Sequence, residues 1–224
     1  MKELLKCLIL MQKKYVKNSF HKFCCTNIGF CSFALILFWV LQKDIIISLG
    51  TNLGNREENL YRAISLLENE SITIIEISSV YETTSWGFKG NSFYNACARI
   101  NTFLGPNELL KELLKVEKIL GRIRNKKNGY QDRVIDLDIL FYGDEIIFSN
   151  ELKVPHSKLH LRNFILLPLI ELTPKLIHPV LKITIKELYH ICPDDSFASK
   201  VNICLLYTSD AADYTPCVDI GGLR

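Results

Sequence analysis

The 224-residue sequence is poor in the residues that mark extended or stapled chains: it holds 11 Gly and 7 Pro, and its 27 Lys and Arg are nearly cancelled by 24 Asp and Glu. With 48% hydrophobic residues, that balance excludes a disordered, collagenous or low-complexity polymer. The net charge of +3 is too small to argue for nucleic acid by itself, and it is unevenly placed. Residues 1–43 carry seven basic side chains and one acidic, residues 44–203 nineteen and twenty, and residues 204–224 one and three. Cysteine is scarce where the chain is regular, since only Cys97 and Cys192 of the eight lie between residues 44 and 203. There is no CxxC, which excludes a disulfide framework and a cysteine-held metal there and fits a reducing, cytosolic domain. Familiar phosphate loops are absent too: no GxxxxGK[ST] occurs and Gly50 and Gly54 do not form GxGxxG, so any nucleotide is held in neither the Walker nor the Rossmann manner.

Both ends read as appendages. Phe23 to Leu41 is nineteen residues without a charge, long enough to span a bilayer, but its first half is only mildly apolar and no small-residue cleavage site follows. Residues 1–43 are therefore expected to be an N-terminal extension, either upstream sequence translated in frame or a weak anchor. After Ile203 the chain resembles a translated sequencing-library adapter, so residues 204–224 are expected to be an artefactual tail. Residues 44–203 remain as one domain.

Within that domain Ile45 to Leu49 is a β-branched run that predicts a buried strand. Asn55 followed by Glu58 is a helix-start signal, and Leu60, Ala63, Ile64 and Leu67 recur at helical spacing over residues 56–69. Ile72 to Tyr81 predicts a second strand, Glu82 to Gly90 a loop carrying Trp86, and Phe93 to Asn101 a third strand. Pro106 opens a helix with Leu109, Leu113, Val116 and Leu120 on one stripe and Gly121 as its terminator. Val134 to Tyr142 and Glu145 to Phe148 predict further strands, followed by short helical patches at Phe164 to Glu171 and Ile185 to His190. Strands and helices in this order predict a single α+β domain.

The triplet Asp136-Leu137-Asp138 carries the most chemistry, because residues i and i+2 of a strand share a face. Two carboxylates in an apolar strand are costly unless cations neutralise them, and hard oxygen ligands beside phosphate suit Mg²⁺. An edge strand presenting two solvated aspartates is the alternative. The preceding loop supplies Arg122, Arg124, Lys126, Lys127 and Arg133, groups that grip phosphate oxygens. Carboxylate pair and cation clamp together suggest phosphoryl-type transfer. His156, after Pro155, adds a titratable group, and Arg162 a further phosphate-capable cation. Ser157 and His160 form no triad with a nearby acid, so covalent catalysis finds no support. His21, His178 and His190 are expected to be incidental.

In order along the chain, these motifs resemble the 6-hydroxymethyl-7,8-dihydropterin pyrophosphokinases, also called 2-amino-4-hydroxy-6-hydroxymethyldihydropteridine diphosphokinases. The likeness covers about residues 44–195. It rests on Ser48-Leu-Gly-Thr-Asn-Leu-Gly54, Ser79-Val-Tyr-Glu-Thr-Thr-Ser-Trp-Gly87, Phe93-Tyr-Asn95, Glu117 with Gly121-Arg122-Ile-Arg124, Arg133-Val-Ile-Asp-Leu-Asp-Ile-Leu140, and Val154-Pro-His156 with Arg162 and Phe164. The resemblance implies a ferredoxin-like α+β fold, a mainly antiparallel sheet with helices packed on it, usually in a monomer. It implies transfer of the pyrophosphoryl group of ATP to the pterin hydroxymethyl in tetrahydrofolate biosynthesis, with release of AMP. By the same carry-over Asp136 and Asp138 hold two Mg²⁺ ions and Arg122 and Arg133 are catalytic. Glu117, Arg124, His156 and Arg162 contact ATP, and Thr83, Trp86, Phe93, Asn95 and Phe164 form the pterin pocket. A flat ring with amide-like edges suits aromatic faces and an Asn that both donates and accepts.

The chain departs from the familiar pattern in a basic loop one residue longer, in Tyr130 where a Trp is usual, and in Ser157. The expected partners are ATP and the pterin, without nucleic acid or membrane, in the cytoplasm. Two other classes stay open: an RNA-binding module of the same fold, against which the near-neutral core speaks, and another two-metal enzyme such as a nucleotidyltransferase, which would release pyrophosphate.

Overall fold

The β-branched run after Asp44 forms the strand β1 (Ile45–Thr51), buried along nearly its whole length. The computed structural model to which it belongs describes residues 43–122, 131–203 and 205. The apolar run at residues 23–41, the tail beyond residue 205, and Arg124, Lys126, Lys127 and Tyr130 of the basic loop lie outside the described residues. No helix among those described is long and apolar enough to cross a membrane.

Side chains alternate along β1, so Ile45, Ile47 and Leu49 enter one core while Ile46 enters another on the opposite face. The first core is closed by two helices, α1 (Arg56–Leu67) and α2 (Pro106–Ile119). Asn55 caps α1 by accepting from the Glu58 N–H, and Leu60, Ala63, Ile64 and Leu67 are buried on the face their spacing predicts. In α2 Pro106 takes the first turn, Glu108 reaches back to the Gly105 N–H at 2.8 Å, and Leu109, Leu113 and Val116 are buried. Leu205, within the stretch expected to be foreign, packs into the same core.

β1 pairs antiparallel with β4 (Phe93–Thr102) on one side and β5 (Asp136–Tyr142) on the other. The far edge of β4 is lined by β2 (Ile72–Ile77) and β3 (Val80–Thr83), and β3 pairs with a last strand, β8 (Ala198–Val201). With α1 and α2 as crossovers, the order β5-β1-β4-β3 is the βαββαβ arrangement of a ferredoxin-like sheet, and every pairing in it is antiparallel.

The stretch Ile72 to Tyr81, expected as one strand, is two. The Ser78 N–H bonds to Cys97 O and its hydroxyl accepts from the Cys97 N–H, both at 2.9 Å, while the Ser79 N–H turns away to Glu171 at 2.7 Å. Two successive serines thus divert the ladder, which apolar alternation alone does not reveal. β8 was not foreseen, because Ala-Ser-Lys-Val has no apolar period and becomes a strand only through its pairing with β3. The expected strand at Glu145 to Phe148 shrinks to β6 (Ile147–Phe148), hairpinned to β7 (Lys153–Val154).

The second core lies between the other sheet face and two helices, α3 (Asn163–Leu172) and α4 (Ile185–His190), with Ile46, Cys97, Leu140 and Phe141 meeting Ile165, Leu166, Leu169, Ile185 and Leu188. The β1–β5 register skips Leu140, pairing Ile47 with Ile139 and Ile46 with Phe141, so Leu140 and Phe141 both join this core. His178, expected to be incidental, is buried against Phe141 and accepts from the Val180 and Leu181 N–H groups, holding the turn between α3 and α4.

Candidate active site

Where α3 begins, part of the second sheet face is left uncovered, and a concavity opens there. Its floor comes from three strands in register: Gly50 stands between Asn95 of β4 and Asp136 of β5, and Ser48 stands beside Asp138. The two smallest residues of β1 therefore leave the space. A Cβ on Gly50 would approach Asn95 Oδ1 to 3.1 Å and the Asp136 Cβ to 4.0 Å, so any larger residue would fill the floor.

One wall is aromatic. Trp86 and Phe88 come from the loop after β3, Phe93 from the start of β4, and Phe164 from the first turn of α3. Phe88 meets Phe93 edge to face at 6.3 Å between centroids. The Arg162 guanidinium stands 5.0 Å from the Trp86 ring centroid and 5.5 Å from that of Phe164, so the cation ties the two rings together. Beneath them Asn95 is buried and donates through Nδ2 to Thr83 Oγ1 at 2.8 Å, which fixes its amide plane and sets Oδ1 above Gly50.

The facing wall is ionic. Asp136 and Asp138 both line the concavity, as the i, i+2 argument requires, while Leu137 is buried on the opposite face. Arg133 Nε pairs with Asp136 Oδ2 at 3.1 Å and its guanidinium lies 5.2 Å from the Phe93 centroid. Arg122 pairs with Asp136 Oδ1 and, at 2.5 Å, with Glu117 Oε1. Burial works against the Arg122 charge, but Asp136, Glu117 and Asp138 outweigh it and hold the group above its ordinary pKa. Asp138 responds oppositely: burial first, then Asp136 and Glu117, push its carboxyl up to about 7, only partly offset by Arg122 and Arg133. Arg122 and Arg133 both pair with Asp136, so Asp138 is the carboxylate that a bound cation would most stabilise. Among the described residues no group of three or more His, Cys, Asp and Glu is placed to hold a metal. Two carboxylates fit an ion such as Mg²⁺ that completes its shell with water and phosphate oxygens.

Nine of the residues singled out from the sequence line this one concavity: Thr83, Trp86, Phe93, Asn95, Arg133, Asp136, Asp138, Arg162 and Phe164. Three others stand behind its wall. Arg122 is one layer back, bridging Asp136 to Glu117. Glu117, expected to contact the nucleotide, is only 2% exposed and accepts from the Leu137 N–H at 2.9 Å, so it braces β5 from α2. His156 is near Asp136, where burial, with Arg162 and Lys158 nearby, lowers its pKa to about 4 despite Asp136, and its buried Nδ1 has no hydrogen-bond partner among the described residues. Arg124 lies outside the described residues. Ser48, Gly50, Thr84 and Phe88 also line the site and were not singled out; the strand register finds the first two, and adjacency to Trp86 would have found Phe88.

The sequence model for 7,8-dihydro-6-hydroxymethylpterin-pyrophosphokinase (HPPK) matches residues 46–174, which contain all twelve of those described positions. The chain belongs to the HPPK family. A 2-amino-4-hydroxy-6-hydroxymethyldihydropteridine pyrophosphokinase from Aquifex aeolicus is 43% identical over 147 residues, covering 65% of this chain and 90% of that protein. The folic acid synthesis protein fol1 of Pneumocystis carinii is 37% identical over 175 residues, or 78% of this chain, and the chain spans only 23% of its length. A crystal structure of Plasmodium falciparum HPPK-DHPS superposes with a TM-score of 0.54 at 19% identity, over 66% of this chain and 44% of that one, and supports the fold. The HPPK match ends just after α3, so α4 and β8 lie beyond it.

Proposed function

We propose that this protein transfers the pyrophosphoryl group of ATP to the hydroxymethyl oxygen of 6-hydroxymethyl-7,8-dihydropterin and releases AMP. The observation that carries this reading is one concavity with two unlike walls, aromatic rings and a fixed amide on one side and carboxylates with arginines on the other. The pterin ring slots between Trp86, Phe93 and Phe164, with its amide edge against Asn95. Its hydroxymethyl then points toward Asp136 and Asp138. In the transfer, the alcohol O–H and the bond from Pβ to the oxygen it shares with Pα break, the new O–Pβ bond forms, AMP departs with the bridging oxygen, and the proton passes to the medium.

Asp136 and Asp138 would hold two Mg²⁺ ions, which when bound would neutralise the phosphates and polarise the transferring group. Arg133, and Arg122 from one layer back, supply positive charge where negative charge develops on the phosphate oxygens, and Arg133 can exchange its contact with Asp136 for one with ATP. Arg162 already stacks between two rings, so it can serve the phosphates while holding the aromatic wall. His156 remains neutral at pH 7 and can donate or accept a hydrogen bond without adding charge. We assign residues 44–203 as the catalytic domain. Every group in this scheme comes from one chain, so a monomer suffices, and the free thiols of Cys97 and Cys192 suit the cytoplasm.

The test is to incubate the full chain with ATP, Mg²⁺ and 6-hydroxymethyl-7,8-dihydropterin and resolve the nucleotide product. AMP formed only with the pterin present is the expected result. Release of inorganic pyrophosphate with a nucleotidylated acceptor would instead identify a nucleotidyltransferase.

A further inference from the structure

Asn52 leaves β1 just past the floor of the site and is only 2% exposed. Its polar groups are fully used. The backbone N–H donates to Arg133 O at 3.1 Å and Oδ1 accepts from the Arg133 N–H at 2.7 Å. The two protons of Nδ2 go to Asn91 O at 3.1 Å and Asp132 Oδ1 at 2.6 Å. Asp132 also reaches the loop after β3 directly, its Oδ1 accepting from the Asn91 N–H at 3.3 Å and its Oδ2 from Asn91 Nδ2 at 3.5 Å. Gly90 has no room for a side chain beside it, since a Cβ there would come within 2.4 Å of Asp132 Oδ1 and 2.3 Å of the Phe88 ring.

This carboxylate faces solvent, does not line the concavity, and has no part in the transfer described above. It nevertheless joins the loop that carries Trp86 and Phe88 to the residue preceding Arg133. We infer that Asp132 is a positioning residue for the pterin side of the site, an anchor that pre-orders residues 84–92 so that the aromatic wall stands before the ring arrives. Ordering a free loop costs conformational entropy for every residue fixed, and a loop already tied down spares the ligand part of that cost. Arg133 keeps two bonds of its own to Asn52, its carbonyl accepting from the Asn52 N–H and its N–H donating to Asn52 Oδ1, and Asn52 retains its bond to Asn91 O when Asp132 is removed. The anchor therefore acts on pterin affinity and leaves the chemistry at the phosphates unchanged. The ligand's name, though not the anchor, rests on the function proposed above.

The experiment compares the full chain with Asp132→Ala, Asp132→Asn and Gly90→Ala, by steady-state kinetics with ATP, Mg²⁺ and the pterin and by hydrogen exchange of the amides over residues 84–92. Asp132→Ala should raise the KM for pterin about five- to tenfold, the loss expected for one ordinary net hydrogen bond at an exposed site, with kcat and the KM for ATP within about twofold. The Asn91 amide should exchange about tenfold faster. Asp132→Asn keeps an acceptor oxygen and should recover most of the loss, while Gly90→Ala, which displaces the carboxylate, should reproduce it. An unchanged pterin KM, an equal loss in kcat, or unchanged exchange in Asp132→Ala would overturn the inference. Should that variant fail to fold, Gly90→Ala decides by the same criteria. Should the wild-type chain make no AMP from the pterin, the proposed function fails separately, and the exchange comparison alone decides whether the anchor stands.

Discussion

Replacing Glu117 separates bracing from ligand contact at this site. Its carboxylate is 2% exposed, accepts from the Leu137 N–H at 2.9 Å and pairs with Arg122 at 2.5 Å. Glu117→Ala leaves the Leu137 N–H without its acceptor, a loss of about 1–3 kcal/mol for a buried donor. It also takes one of two carboxylates from Arg122; breaking a buried pair outright costs about 3–5 kcal/mol, but Asp136 remains, so the lower end applies. The contributions overlap, and about 4 kcal/mol is expected, equivalent to a fall in Tm of about 12 °C at roughly 3 °C per kcal/mol for a domain of this size. Glu117→Gln preserves volume and the acceptor oxygen and should cost only about 1–2 kcal/mol. Urea unfolding followed by far-UV circular dichroism reads both. If Glu117→Ala is within 1 kcal/mol of wild type, or if Glu117→Gln is as damaging as Ala, the side chain is not the strut described, and a direct role at the nucleotide regains its place.

Other outcomes follow from the same geometry. Asp138→Asn should reduce Mg²⁺-dependent AMP formation by about three orders of magnitude or more while the metal-free protein keeps its fold. Because Asp138 is raised from 3.8 to about 7, its contribution to metal-free stability is present below pH 4 and is lost as pH rises through 7; the Asn variant should lack that decline in thermal melts taken at several pH values without Mg²⁺. His156 has the opposite sign: with its pKa lowered from 6.5 to about 4, it contributes stability above pH 6.5 that is lost as pH falls toward 4, and its NMR titration should show a neutral ring at pH 5.5. Asn95→Ala should raise the KM for pterin about tenfold or more, since it removes both the ring's amide partner and the bond to Thr83, with a smaller change in the KM for ATP.

Much of this architecture was legible along the chain because its signals are local. The stripe of α1, the capped start of α2 and the alternation about Leu137 each need only a few neighbouring residues, so the helices, four of the sheet strands and the shared face of Asp136 and Asp138 could be read directly. Trp86, Phe93, Asn95, Arg162 and Phe164 were named from motif order, yet nothing local shows that residues from a strand, a loop and a helix start meet around Gly50. Where polar groups changed partner over long range, the reading failed. Ser78 and Ser79 break a run that looks continuous, Ala198–Val201 is a strand only because β3 offers it an edge, and Glu117 turns from the nucleotide to a backbone N–H twenty residues away. The sequence by itself determined which faces of its helices and strands are apolar, and hence two cores on one antiparallel sheet, since side-chain periodicity follows from backbone geometry. Only the tertiary structure decided which polar groups are spent on bracing and which are left facing the concavity, because a hydrogen bond between distant segments depends on register and packing that no short stretch of chain encodes.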